Sequence, residues 1–562
     1  MKNKFLIFIL ILISSFSKNT YSQGLGGDVF MISFTDKINN GFSIANPQAF
    51  LSERAIQRRI TRNISVFEND LPLTSSYISQ VAATGANVIG KSKWLNSITV
   101  LISNPQQLID INQLPFVISN TPLNRNSTVV SDENKFELES FSTSSTTHNR
   151  VAATSASAFD YGQGYQQINM IGGLQLHQNG FRGQGMLIAV LDAGFPGVDV
   201  IAGFDSLRNE NRIISTYDFV NRNSFVYSFN SHGTSTLSCM AALVPGSFIG
   251  TAPKASYLLL RTEDASPESK SEEFYWVEGA EYADSCGADV ISSSLGYTTF
   301  DNSAISYTRV NLDGNTAIST RGADVAASKG ILVVNSAGNS GGSSWQKLGS
   351  PADGDSVFCI GGVTTGLTRA SFSSYGPTAD NRLKPDVGAL AVGATVFYQD
   401  GGVGGANGTS FSCPIIAGMS TCLWQANPTY NNMELIEAIK NTASQFSNPD
   451  TSLGWGIPNF SMADFILQGK KAEQYPNAEN FLLSPNPFTD NLNFNFYSAD
   501  TQSLKIIITD ALGKNIYNDE FFAMPKSYNQ INVPIAQKLS RGIYFFSLST
   551  KDKIYTRKII KN

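Results

Sequence analysis

The chain has 562 residues, 42% hydrophobic, 11% aromatic and only 15% charged. That composition excludes a wholly disordered protein, and the length suggests roughly two to four domains. The formal net charge of −5, from 45 acidic and 40 basic residues, excludes a broadly basic nucleic-acid binder.

In chain order, Lys2 and Lys4 precede an apolar run from Phe5 to Phe16 and then a small residue, Ser22. This layout predicts that residues 1–22 are a cleaved signal peptide and that the mature protein is secreted or on the cell surface. The run is too short to span a bilayer, which takes about 20 apolar residues. No later segment is apolar enough either, so no membrane span is expected in the mature chain.

Residues 23–125 read as one small α/β unit, with strands over 28–34 and 94–102 and helices over 47–59 and 73–83. Residues 126–160 are rich in Ser and Thr and read as an exposed, easily cut linker. From 161 to 468, apolar strands alternate with helical stretches. The strands at 187–191, 256–260, 289–291, 331–334 and 357–360 are continuous apolar runs, as expected of parallel strands covered on both faces. A polar linker at 469–480 follows. Residues 481–562 then change to period two and predict a small antiparallel β-sandwich; they carry ten Lys and Arg against six Asp and Glu. The five cysteines, Cys239, Cys286, Cys359, Cys413 and Cys422, match no zinc spacing and read mainly as buried small apolar side chains.

Histidine occurs only as His148, His177 and His232. His148 lies in the linker and His177 reads as structural. His232, in Ser231-His232-Gly233-Thr234 before an apolar stretch, is the candidate general base. Asp192 follows the apolar strand 187–191, at the sheet edge where α/β enzymes place their sites. Ser410, in Gly408-Thr409-Ser410, opens an apolar helix whose N-terminus favours developing negative charge. Pro414 is expected to be tolerated only in a first helical turn. The order Asp192, His232, Ser410 is one of the linear orders of a Ser-His-Asp triad. Asn339, in a loop after strand 331–334, could donate its amide to an oxyanion.

The segments Ala189-Val-Leu-Asp192-Ala-Gly, His232-Gly-Thr234, Ser294-Leu-Gly296, Ser336-Ala-Gly-Asn339 and Gly408-Thr-Ser410 resemble, in order, those of the subtilisin-like serine proteases, the subtilases. The resemblance implies an α/β fold: a subtilisin-like parallel sheet flanked by helices, with an N-terminal α+β propeptide and a C-terminal β-sandwich. It implies that Asp192 orients the imidazole, His232 is the base, Ser410 the nucleophile, and Asn339 with the Ser410 N–H the oxyanion hole. Ser294, Leu295 and Gly296 then match the strand that binds the substrate backbone.

Two departures are Phe411-Ser412 in place of Met-Ala after the nucleophile, and a helix after His232 without the usual small glycine. The spacing from Leu295 to Asn339 predicts an insertion around 300–320 beside the cleft. Residues 23–125 sit where subtilases carry an inhibitory propeptide. Ser484-Pro-Asn-Pro487, Asp510-Ala-Leu-Gly513, Leu539-Ser-Arg-Gly-Ile-Tyr544 and the basic ending resemble the sorting domain of the Bacteroidetes type IX secretion route. The partners implied are polypeptide substrates, the chain's own propeptide and that secretion machinery.

No cofactor is required for this chemistry. Calcium stabilises many subtilases, and Asp301 and Asp313 are candidate ligands, but no calcium loop is recognisable and no metal site is assigned. Glu263 and Asp264 read as a solvated acidic loop. Two rival readings are an inactive binding or adhesion protein on the same scaffold, and a serine esterase. The first expects a missing triad member. The second expects Gly-x-Ser-x-Gly and the order Ser, Asp, His.

Overall fold

The computed structural model describes residues 28–124, 136, 141–142, 160–265 and 268–474, and 481–562 apart from 485, 491, 499–500, 524–526, 534 and 552. The expected signal peptide at 1–22, most of the 126–160 linker including His148, and residues 475–480 lie outside the described residues.

The N-terminal unit is a four-stranded antiparallel sheet, β1 (Asp28–Phe34), β2 (Asn87–Ser92), β3 (Ser97–Ile102) and β4 (Val117–Asn124), in the order β2-β3-β1-β4. Its helices are α1 (Glu53–Thr61), α2 (Ser75–Ala83) and α3 (Pro105–Asn112). The predicted helix at 47–59 is broken: Pro47–Ala49 makes a short 3-10 turn, and Ser52 caps the true start by accepting from the Ala55 N–H.

A two-residue strand, β5 (Phe141–Ser142), leads to short helices α4 (Tyr165–Asn169) and α5 (Leu174–Gln178). The central sheet begins with β6 (Leu187–Asp192), α6 (Asp205–Asn209), β7 (Ile213–Asp218) and α7 (His232–Ala241). A small hairpin, β8 (Leu243–Val244) with β9 (Phe248–Ile249), precedes β10 (Ser256–Arg261), α8 (Ser271–Cys286), β11 (Val290–Ser293), α9 (Ile318–Ser328), β12 (Leu332–Ser336), β13 (Phe358–Val363) and β14 (Val387–Leu390). A second hairpin, β15 (Ala394–Phe397) with β16 (Val403–Ala406), feeds α10 (Thr409–Ala426), followed by α11 (Asn432–Lys440) and α12 (Phe460–Gln474).

Seven strands form one sheet in the order β14-β13-β12-β11-β6-β10-β7, with every pairing parallel. Continuous apolar strands make this possible, because each face is covered. Ile188 and Val190 of β6 join the core that includes Leu237 of α7 and Ile415 of α10. Leu187, Ala189 and Leu191 point to the other face and join Trp276 and Ala280 of α8. The expected linker at 469–480 begins as the end of α12, which runs to Gln474.

The C-terminal unit has two antiparallel sheets. Phe481–Ser484, Asn493–Ser498 and Ser527–Asn532 form one, and Gln502–Asp510, Asn515–Ala523, Gly542–Ser549 and Ile554–Lys561 form the other. Alternation places Phe494, Phe496, Ile506, Ile508, Phe546 and Leu548 in one core, as the period-two pattern predicts. Among the described residues no helix is long and apolar enough to cross a membrane.

Candidate active site

Asn339, Ser294 and Asp192 follow or close β12, β11 and β6, neighbouring parallel strands, so they meet at the carboxyl edge of the sheet. Asp192 is fully buried. Its Oδ1 accepts from His232 Nδ1 at 2.7 Å and from the Ala193 N–H at 2.8 Å. Its Oδ2 accepts from Thr236 Oγ1 at 2.9 Å. A buried carboxylate with three donors is held in place, and its acceptor role puts the proton on Nδ1 of the imidazole. Thr236 was not singled out in the sequence. The signal was there, since it lies four residues after His232 and so on the same helical face.

His232 is the first residue of α7, and its N–H donates to Asn230 Oδ1 at 2.8 Å. The next residue explains how the helix comes so close to β6. A Cβ on Gly233 would lie 2.3 Å from the Gly194 carbonyl oxygen and 3.0 Å from Asp192 Cβ, so any side chain there would push the helix off the strand. The missing glycine further along is harmless: all of α7 is buried, with Ser238 Oγ donating to Ser235 O.

Ser410 is the second residue of α10 and is buried. Gly408, at φ 152° and ψ 148°, turns the chain into the helix in a conformation open essentially to glycine. Pro414 lies one turn further in than expected, at the sixth helical position. It has no N–H for the Ser410 carbonyl. Ser294 Oγ fills that role, donating to Ser410 O at 2.8 Å. The helix therefore keeps its proline, and Ser294 ties the nucleophile candidate to the substrate-strand candidate. Ser294→Ala should leave the Ser410 carbonyl without this donor and lower folding stability by about 1–3 kcal/mol; an unchanged urea midpoint would rule this support out. Phe411 and Ser412, the departures beside Ser410, fit without strain. The Phe411 ring is buried 6.1 Å from the His232 ring, and Ser412 Oγ donates to Thr409 O at 3.0 Å.

Asn339 is half-buried, and its Oδ1 accepts from the Thr409 N–H at 2.9 Å and Thr409 Oγ1 at 3.0 Å. The carboxamide oxygen thus faces the start of α10. Thr409 Oγ1 in turn accepts from the Gly338 N–H at 3.1 Å. Leu295 is buried, with its carbonyl accepting from Asn335 Nδ2 at 3.0 Å, and Gly296 is exposed. The neighbouring Tyr297 pairs with Ser350 through reciprocal backbone hydrogen bonds of 2.8 and 3.0 Å, which fixes the far end of this segment.

Other expectations are partly corrected. Glu263 is not solvated: it is buried and accepts from Tyr297 Oη at 2.9 Å, while Asp264 sits 3.5 Å from Arg261. Glu263, Glu268 and Glu272 bring carboxylate oxygens within 4.8 Å of one another. Asp313 organises its own turn, accepting from the N–H groups of Asn315 at 2.9 Å and Thr316 at 2.8 Å. Asp301 Oδ2 accepts from the Glu268 N–H at 3.3 Å. In the 300–320 region, Tyr307 Oη donates to the buried Glu273 at 2.7 Å, and its N–H donates to Thr298 O at 2.9 Å, which pins that segment beside Gly296. His177 is structural. Its Nε2 contacts Thr251 O at 2.9 Å, its Nδ1 contacts Tyr161 Oη at 3.0 Å, and burial holds its pKa down to about 4. All five cysteines are unpaired thiols, four of them buried.

The N-terminal unit docks on α8 through buried charge. Arg58 pairs with Asp284. Arg59 bridges Asp284 at 2.7 Å and Asp70 at 3.0 Å, and Lys329 reaches Asp70 at 3.1 Å. Arg54 and Arg62 reach Asp289 at 2.5 and 3.1 Å. Glu281 receives Ser92 Oγ at 2.6 Å and the N–H groups of Lys93 and Trp94 at 3.0 Å each; Glu278 receives the Lys91 N–H at 2.9 Å. Such pairs specify one docking geometry, and removing one partner strands a buried charge.

Residues 183–456 match the Subtilase family, residues 29–136 the Peptidase S8 propeptide domain of Bacteroidota, and residues 483–562 a Secretion system C-terminal sorting domain. The chain belongs to the subtilase family of serine proteases. It is 31% identical over 281 residues to "Subtilisin" from Bacillus pumilus, a match covering 49% of this chain and 90% of that one. It is also 31% identical over 285 residues to "Subtilisin NAT" from Bacillus subtilis subsp. natto, covering 50% of this chain and 66% of that one. The crystal structure of fervidolysin from Fervidobacterium pennivorans, described as a keratinolytic enzyme related to subtilisin, shares the fold. Its TM-score is 0.52 at 17% identity, covering 93% of this chain and 70% of that one.

Proposed function

We propose that this chain is an exported serine endopeptidase made as a zymogen. The observation that carries the reading is the buried Asp192–His232 hydrogen bond of 2.7 Å at the sheet edge where α10 presents Ser410. In the proposed reaction His232 Nε2 takes the Ser410 proton as Oγ attacks the scissile carbonyl. Asp192 holds the imidazole tautomer and stabilises the imidazolium. Asn339 Nδ2 and the Ser410 N–H donate to the oxyanion, the former because Oδ1 is turned to Thr409. The imidazolium then protonates the leaving amine, and water releases the acyl-enzyme by the same steps in reverse. Ser294, Leu295 and Gly296 are proposed to hold the substrate backbone. The chemistry calls for no cofactor.

The division at 23–125, 161–468 and 481–562 supports a propeptide, a peptidase and a sorting domain, with residues 1–22 removed on export. Purified mature enzyme should digest casein and lose that activity on His232→Ala. An enzyme that hydrolyses simple esters but leaves casein intact would favour the esterase reading. One that does neither would favour a binding scaffold, which the full triad set argues against.

The carboxylates under the propeptide make its grip depend on pH. Burial raises Glu281 and pushes Glu278 up to about 7, against the pull of Arg222, of Lys93 and of the hydrogen bonds from Lys91, Lys93 and Trp94. A solvated glutamate titrates near about 4.3. The complex therefore binds protons more tightly than its parts. Its affinity is full below the solvated value and falls as pH rises toward about 7. The inhibition constant of added propeptide should be larger at neutral pH than at pH near the solvated value; a flat or opposite profile would remove Glu278 as the cause.

Residues from about 481 onward are proposed to direct export and to be dispensable for catalysis. Deleting 481–562 should retain active enzyme in the envelope of a host with this secretion route. Full-yield release of the truncated protein to the medium would refute the assignment.

A further inference from the structure

One fully buried carboxyl group lies outside the triad and outside the propeptide contacts: Glu273, in the first turn of α8. Its Oε2 accepts from Tyr307 Oη at 2.7 Å. Its Oε1 accepts from the Ser319 N–H at 3.2 Å, from Ser319 Oγ at 2.9 Å and from Ser350 Oγ at 3.1 Å. Among the described residues no ion pair reaches it; Lys270 lies instead over the Tyr307 ring, 4.0 Å from its centroid. Burying a carboxyl group in this way is less favourable than burying an apolar side chain of the same bulk. Its four donors come from three separate places in the chain. Tyr307 belongs to the segment 298–317 between β11 and α9, Ser319 to the first turn of α9, and Ser350 to the stretch before β13.

Ser350 carries this fixed point to the cleft. Its N–H and carbonyl pair with the backbone of Tyr297, the residue after Gly296. The two segments run close together: a Cβ on Gly349 would lie 3.2 Å from the Tyr297 carbonyl oxygen. From the other side, Tyr297 Oη donates to the buried Glu263. The Tyr307 N–H reaches Thr298 O at 2.9 Å. The chain leaving Ser294–Gly296 is thus held by backbone and side chain alike.

We propose that Glu273 is a positioning residue for the strand Ser294–Gly296, and that the inserted segment 298–317 serves to hold it through Tyr307. The proposal rests on the peptidase reading above. Glu273 touches no substrate. It fixes Ser350, Ser350 fixes Tyr297, and Tyr297 fixes where the exposed backbone of Gly296 meets a peptide. Hydrogen bonds weaken steeply away from their best geometry, and a misplacement of about 1 Å lowers a rate by about a hundredfold. The effect is confined to substrates long enough to lie along 294–296. A small ester that reaches only Ser410 and the oxyanion donors is indifferent to it.

The test compares two substrates on the mature enzyme: a peptide 4-nitroanilide with four residues on the acyl side, and 4-nitrophenyl acetate. Both rates are taken per site titrated with a fluorophosphonate, which removes unfolded protein from the comparison. Glu273→Leu should lower kcat/KM for the anilide by roughly ten- to a hundredfold and leave the acetate rate per site unchanged. Glu273→Gln should restore the anilide rate, because its carbonyl can accept from Ser319 and Ser350 while its amide donates to Tyr307 Oη. Ser350→Ala and Tyr307→Phe should each show a smaller fall on the anilide alone, roughly three- to tenfold. An unchanged anilide rate in Glu273→Leu, equal falls on both substrates, or a Gln variant as poor as the Leu variant would overturn the proposal. If Glu273→Leu yields no titratable sites, Ser350→Ala decides in the same way. An unchanged anilide rate in Tyr307→Phe would take the inserted segment out of the brace. When the split between substrates is lost but wild-type enzyme digests casein, the peptidase reading stands without the brace. A wild-type enzyme that cuts the acetate and no peptide removes both.

Discussion

Ser410→Ala is expected to accumulate as an uncut proform lacking only its signal peptide, and to show no peptidase activity above a small residual. Removing the nucleophile from a triad costs about six orders of magnitude in turnover, because the three residues act as a unit. The substitution removes one oxygen and leaves the contacts that hold the helix start, among them Ser294 Oγ to the Ser410 carbonyl, which is a backbone group. The fold and the buried contacts of Arg58 and Arg59 with Asp284 should therefore persist. Electrophoresis of the purified variant reads the first part and a casein assay the second. Normal processing in a protease-free host would refute self-cleavage, and normal hydrolysis would refute the triad.

Asn339→Ala should lower kcat by roughly 10²–10³, or about 3–4 kcal/mol of transition-state stabilisation, with little change in KM. An oxyanion donor acts only when charge develops on the carbonyl oxygen, so ground-state binding is spared. The structure adds a second, smaller effect. Asn339 Oδ1 accepts from both the N–H and the hydroxyl of Thr409, so the variant should also lose about 1 kcal/mol of stability. Steady-state kinetics beside a thermal melt separates the two. An unchanged kcat with a lowered melting temperature would make Asn339 a cap for α10 and no more.

The parts of this account that depend on short-range pattern were legible in the sequence. Unbroken apolar runs such as 187–191 marked buried parallel strands, and alternation at Leu492, Phe494 and Phe496 marked the C-terminal sheets. The segments around Asp192, His232 and Ser410 marked the carboxyl edge. What the sequence hid depends on which distant groups meet. Pro414 looked confined to a first turn, because nothing local shows that Ser294, more than a hundred residues earlier, donates to the carbonyl it frees. Glu263 looked solvated, because a charged residue after a strand usually is; Tyr297 makes its burial tolerable. Thr236 was hidden differently. Its spacing from His232 was visible, but a threonine in a helix has many uses, and only the approach of β6 selects this one. The contact of Phe136 with His232 had no local signal at all.

The central claim is that His232 and Asp192 activate Ser410. Labelling the propeptide-free enzyme with a fluorophosphonate, then mapping the adduct by peptide mass spectrometry, tests it most directly, because the reagent phosphonylates a serine that has a base to take its proton. The account predicts one adduct, on Ser410, lost in His232→Ala and blocked while the propeptide remains bound. No adduct on the active, propeptide-free enzyme, or an adduct on another serine, would contradict it.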